Sequence, residues 1–81
     1  MSATTQAEIR QWFIRGVAEG HTHLMVRCDT FDHDDYPVYR DSAEEARKLA
    51  DDTSNMQSTH EVYNLKADME SQLAERRSFN Y

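Results

Sequence analysis

The stretch CDTFDHDDYP, residues 28 to 37, carries the densest group of reactive side chains in the sequence: Asp29, Asp32, Asp34 and Asp35 surround His33, with Cys28 before them and Pro37 behind. Three chemistries draw on such residue types. A calcium loop of the EF-hand kind needs acids at alternate positions, a glycine at its sixth place for the sharp turn and a glutamate at its twelfth. Counting from Asp32 puts Pro37 and Ala43 at those places, and counting from Asp29 puts Asp34 and Arg40 there, so both registers fail. A transition-metal module would draw on His21, His23 and His33 with the loop aspartates, or on Cys28. Zinc sites favour paired Cys/His spacings, whereas His21 and His23 share one face of a strand and Cys28 lies on the other. This metal module is kept as the alternative reading, with no metal ligand assigned.

Catalysis has less support. Two carboxylates become an acid and a base only when burial or a neighbour separates their pKa values, and within DTFDHDDY only Phe31 suggests burial. Cys28 with a histidine is a conceivable nucleophile and base, but an inward strand cysteine serves as a small packing group. Gly16 and Gly20 are the only glycines, so no phosphate-cradling loop exists. The reading is therefore of a non-enzyme with no catalytic residue and no cofactor. What remains for the loop is recognition: Asp29, Asp32, Asp34 and Asp35 supply charge, and Phe31 and Tyr36 are aromatic anchors. Against this stands a plain turn, in which Phe31 folds back to close a hairpin and the acids face water. Asp29, just after a strand, is the one acid expected to bond nearby backbone and shape the turn.

The charge pattern points the same way. Nine acids and three bases lie between Asp29 and Asp52, a balance of −6 that equals the net charge of the whole chain. That segment lacks the Lys/Arg footprint of a phosphate binder, which argues against direct nucleic-acid contact and for a basic protein partner. The single cysteine cannot close an intrachain bridge and suits a reducing compartment. The start shows no signal-peptide pattern, and no apolar run is long enough to span a bilayer. A cytoplasmic protein without membrane contact is the expectation.

These residues must be held by elements, and periodicity with capping signals locates them. Thr5-x-x-Glu8 is a capping box, followed at helical spacing by Ile9, Trp12, Phe13 and Val17, with Gly20 where a left-handed cap is cheapest. A helix over 5–19 results, with Trp12 and Phe13 in the core. HTHLMVRC alternates, which predicts a half-buried strand over 22–28 with Leu24, Val26 and Cys28 inward. YPVYR is a second strand, placed at an edge by Pro37. Ser42-x-x-Glu45 opens a short helix over 42–52. Beyond it Val62 and Tyr63 favour a strand, and a short one over 59–63 would complete a sheet. Yet Ser58-x-x-Glu61 forms a third capping box, Val62, Leu65, Met69 and Leu73 fit a helical stripe, and no Gly or Pro follows Asn55. These favour one long helix over 57–77. Arg76 and Arg77 then complement its dipole, and Phe79 and Tyr81 dock on their own domain or on a sister subunit.

The segment MVRCDTFDHDDYPVY, with EIRQWFIRGVAEGHTHL before it and QLAERRSF near the end, resembles a group of small proteins encoded in tailed-bacteriophage genomes. The resemblance covers most of the chain. It implies a context and no mechanism: in the host cytoplasm, small acidic proteins of this kind act as accessory factors that bind and redirect a host protein, anti-CRISPR inhibitors among them.

The expectation is one small domain over 1–81, of α+β class, in the order α-β-β-α-α: a two-stranded antiparallel hairpin packed with an N-terminal helix, a short helix and a long C-terminal helix. Leu, Ile, Val and Phe supply only 13 of 81 residues, so the core is thin. A homodimer, formed by strand edges or by the long helices, would bury what one chain leaves open.

Overall fold

The computed structural model describes residues 5–31, 34–53, 56–75 and 78–81. Helix α1 (Gln6–Ala18) starts where the capping box places it. The Thr5 hydroxyl accepts from the Glu8 backbone N–H at 3.3 Å, and the Glu8 carboxylate accepts from the Thr5 N–H. After Glu19 the chain turns through Gly20 at φ +83°, a backbone that other residues adopt only under strain. Strand β1 (His23–Asp29) pairs antiparallel with β2 (Asp34–Arg40), Leu24 opposite Tyr39 and Cys28 opposite Asp35. Pro37 sits within β2, whose other side is an edge of the sheet, so its missing donor breaks no ladder. Helix α2 (Ala43–Asp51) follows, its Ser42 hydroxyl accepting from the Glu45 N–H at 3.1 Å.

The expected helix over 57–77 is not formed. Residues 57–64 are strand β3 (Gln57–Asn64), which pairs antiparallel with β1 on the side away from β2, in the order β2-β1-β3. The architecture is α+β with a three-stranded sheet in place of a two-stranded hairpin. The reason lies in β1. A two-stranded ribbon is marginal alone, and β1 is buried from His23 to Cys28, so the donors and acceptors of its second edge need partners that only another strand supplies. The Val62 and Tyr63 side chains then go to opposite faces, one to each of two cores. A bulge falls where the pairing jumps from Val26↔Glu61 to Arg27↔Thr59, leaving His60 as the extra residue.

β3 ends in a turn in which the Asn64 carboxamide oxygen accepts from the Lys66 N–H at 2.8 Å. Helix α3 (Met69–Ala74) then starts under the Asp68 cap, and the Gln72 amide reaches back to both the N–H and the carbonyl of Asn64, at 2.7 and 2.9 Å. Leu65, Met69 and Leu73 still face the core, from a turn and a short helix. Arg76 and Arg77 lie outside the described residues.

Helices α1 and α3 cover one sheet face and α2 the other. The first core joins Ile9, Phe13, Leu24, Val26, Tyr63, Leu65 and Leu73, with Trp12, Tyr39 and Met69 packed against it. The second joins Met25, Ala46 and Val62 under α2, and Tyr81 docks there with its ring 4.6 Å below the Arg47 guanidinium. The tail reaches that position by pairing with β3: Val62 donates to Ser78 and accepts from Asn80 at 3.0 and 2.9 Å. The docking expected of the terminal aromatics is met by Tyr81, while Phe79 stays exposed. Covering both faces of β1 also changes Arg27, read as pointing outward. It is buried, and one guanidinium nitrogen donates to the carbonyls of Leu49 and Asp52 and to the Thr59 hydroxyl at 2.7 to 2.9 Å, closing the C-terminus of α2. Among the described residues, no helix is long and apolar enough to cross a membrane.

Candidate functional site

The end of the sheet where β1 turns into β2 gathers the residues singled out in the sequence. The Asp29 carboxylate accepts from the Phe31 backbone N–H at 2.9 Å, the local bond that shapes the turn. Thr30 donates from its N–H and its hydroxyl to the Met56 carbonyl, at 2.6 and 2.7 Å, which ties the turn to the start of β3. Phe31 does not fold back: it is 71% exposed. Met56 is also exposed, and its φ of +59° is a left-handed conformation that costs a non-glycine residue on the order of 1 kcal/mol or more. Two exposed apolar side chains thus stand on hydrogen-bonded backbone near Asp29 and Asp34.

The other loop residues divide. Asp34 is exposed, opposite Asp29 in the ladder. Asp35 and Tyr36 are strand residues of β2 and partly buried; the Tyr36 hydroxyl bonds the Gln57 side chain across the sheet, which removes it as a free anchor. Asp32 and His33 lie outside the described residues.

Asp35 belongs to a second grouping at the root of the same turn. Cys28 from β1, Asp35 from β2 and His60 from β3 each bring one donor atom to a common place, all within 4.8 Å of one another. Cys28 is buried, and the Asp35 and His60 side chains are 18% and 31% exposed. His60 Nδ1 lies 3.9 Å from an Asp35 carboxylate oxygen, beyond hydrogen-bonding distance. The next residue along β3, the buried Glu61, accepts from the Tyr63 hydroxyl.

The histidines weighed as metal ligands go elsewhere. His21 Nδ1 lies 2.8 Å from an Asp41 carboxylate oxygen and Nε2 lies 3.4 Å from Glu19, with its ring stacked on Tyr39. The hydrogen bond to Asp41 holds its pKa above the ordinary imidazole value, and the two negative charges add to the effect. His23 is buried with Nδ1 on the Thr22 hydroxyl at 2.7 Å. His60 had no signal of its own in the sequence. Only the strand reading of 59–63, together with the bulged register, puts it beside Cys28. No protein-family model, curated protein or solved structure matches this chain.

Proposed function

We propose that this is a non-catalytic binding protein that presents the β1–β2 turn to a basic surface of a protein partner. The observation that carries the reading is Phe31, which is 71% exposed, with its backbone N–H held by the Asp29 carboxylate and the neighbouring Thr30 bonded to the Met56 carbonyl. An exposed ring on backbone already held by hydrogen bonds loses little entropy on docking, and desolvating it supplies affinity. Asp29 and Asp34 beside it supply orientation and association rate. If the chain is phage-encoded, as its resemblance suggests, the partner is a host protein of the bacterial cytoplasm.

The test is capture from host lysate with tagged full-length protein, identification of the captured protein, and binding curves for Phe31→Ala and Asp34→Asn. Phe31→Ala should weaken binding by more than about 1 kcal/mol, the level that marks a hot spot. Asp34→Asn should slow association, with an effect that shrinks as salt rises. Neither should alter folding. Unchanged binding by a folded Phe31→Ala variant would return the turn to a solvated hairpin end.

A homodimer is a second proposal. The long helices that would have joined it are not formed, and the tail occupies part of the outer edge of β3. The supporting surface is an apolar groove between α1 and α3, lined by Phe13, Ile14, Val17, Ala18 and Met69, with Ile14 and Val17 more than half exposed. Light scattering should give about twice the 9.5 kDa chain mass, and Val17→Glu should return it to one. A wild-type chain that stays monomeric at high micromolar concentration refutes this.

A further inference from the structure

We propose that Cys28, Asp35 and His60 form a binding site for a divalent transition-metal ion, with zinc as the occupant the donor set fits best. Each of the three strands contributes one ligand, and the ladder explains why they meet. Cys28 and Asp35 are direct cross-strand partners. His60 is the extra residue of the β3 bulge, and bulges re-aim a side chain. In an unbulged ladder the pairing would run on from Val26↔Glu61 to put His60 opposite Arg27, on the face that α2 covers, and not beside Cys28.

The second observation is the state of His60. Its Nδ1 is buried and has no hydrogen-bond partner, one of two such side-chain atoms among the described residues. A buried ring nitrogen left this way carries the cost of its lost hydration. It stands 3.9 Å from the Asp35 oxygen, too far to donate and well placed to share an ion. Around a tetrahedral zinc with bonds of 2.0 to 2.3 Å, neighbouring donors stand about 3.3 to 3.6 Å apart. Donors already within 4.8 Å of one another therefore need to close by at most about 1.5 Å, a shift on the scale of side-chain torsions.

Donor chemistry selects the ion. Calcium and magnesium take oxygen ligands, whereas thiolate with imidazole and one carboxylate suits zinc or a metal of similar softness. Three protein ligands leave a fourth position, and the partial exposure of His60 and Asp35 lets an ion enter and a water or outside ligand fill that position. On binding, the Cys28 thiol proton passes to solvent and the thiolate becomes the ligand. The bound ion would fasten all three strands at the root of the β1–β2 turn. This site is independent of the partner reading above, since its test involves no partner.

The test uses the full-length chain, prepared reduced and metal-free and titrated with Co²⁺ as a spectroscopic probe, then with Zn²⁺. One equivalent of Co²⁺ should produce a thiolate-to-cobalt charge-transfer band with the d–d pattern of tetrahedral coordination, and Zn²⁺ should displace it and raise the melting temperature. Mg²⁺ and Ca²⁺ should do neither. Cys28→Ser and His60→Gln should each abolish the charge-transfer band or weaken binding by more than the roughly 10–100-fold that outer partners of a metal ligand cost. His21→Ala, away from the cluster on Asp41 and Glu19, should leave binding unchanged. If Cys28→Ser fails to fold, the wild-type spectrum and His60→Gln decide the matter. A folded wild-type chain without the charge-transfer band overturns the proposal, as does undiminished affinity in His60→Gln; the three residues are then a half-buried polar patch at the root of the turn.

Discussion

Gly16→Ala sets two physical effects against each other at one position, and the structure determines which is larger. Gly16 lies inside α1 with an ordinary helical backbone, so local propensity alone predicts a gain of about 1 kcal/mol when alanine replaces it. The tertiary contacts oppose this. A Cβ at residue 16 would stand 2.7 Å from Leu65 Cδ1 and 2.7 Å from Tyr39 Cε1, where 3.4 to 4 Å is ordinary contact. The Tyr39 ring cannot readily swing aside, because its hydroxyl donates to the Trp12 carbonyl of the same helix at 2.8 Å and its face stacks on His21. Leu65 is buried in the first core. Overpacking of this kind costs about 1–3 kcal/mol, and two held neighbours place the site in the upper part of that range. The expected net result is a loss of about 1–2 kcal/mol, at about 4–8 °C per kcal/mol in a domain of this size. Urea denaturation should show a lower midpoint at unchanged slope. In a Leu65→Ala background the same change should cost less, because the added methyl then enters space the leucine has left. A Gly16→Ala protein about 1 kcal/mol more stable than wild type would refute the packing of α1 on Leu65 and Tyr39.

Three further outcomes are expected. Arg27→Met keeps the apolar stem but leaves the Leu49 and Asp52 carbonyls without their buried donor; at about 1.5–3 kcal/mol for a charged hydrogen bond, denaturation should show a loss of about 3 kcal/mol. Deleting residues 78–81 removes the strand bonds at Val62 and the docked Tyr81 ring, and the unfolding free energy from urea denaturation should fall by about 2–3 kcal/mol, whereas a free tail would change nothing. Because the Asp41 hydrogen bond raises the His21 pKa in the folded state, its contribution is complete below the unfolded value near 6.5 and is lost as pH rises through the folded value; wild type should thus lose stability relative to Asp41→Asn as pH increases from about 6 to 9, and parallel pH profiles would contradict the pairing.

The acidic turn was legible as a turn, and Asp29 as its shaping residue, because an Asx bond is a local event between residues two apart. Exposure of Phe31 was not: both readings of its ring fit the sequence, and the backbone link from Thr30 to Met56, distant in the chain, fixed the outcome. Arg27 shows the same limit from the other side. Alternation put it opposite Leu24 and Val26 correctly, but whether that opposite face meets water or a helix depends on where α2 returns.

By itself the sequence determined α1, β1, β2 and α2, since a capping box, a period of two and an edge proline act over a few residues and report directly on local backbone. The apolar stripe of Leu65, Met69 and Leu73 was legible too, and Leu65 and Leu73 are buried with Met69 packed against them, although a turn and a short helix carry them. Only the tertiary structure decided that residues 57–64 extend as β3. Their capping pattern and helical stripe describe a possible helix, but the unmet hydrogen-bonding edge of β1 and its two covered faces belong to another part of the chain. The meeting of Cys28, Asp35 and His60 was decided at the same level: a bulge shifts the register of one strand against another, and register is a relation between segments that no single segment encodes.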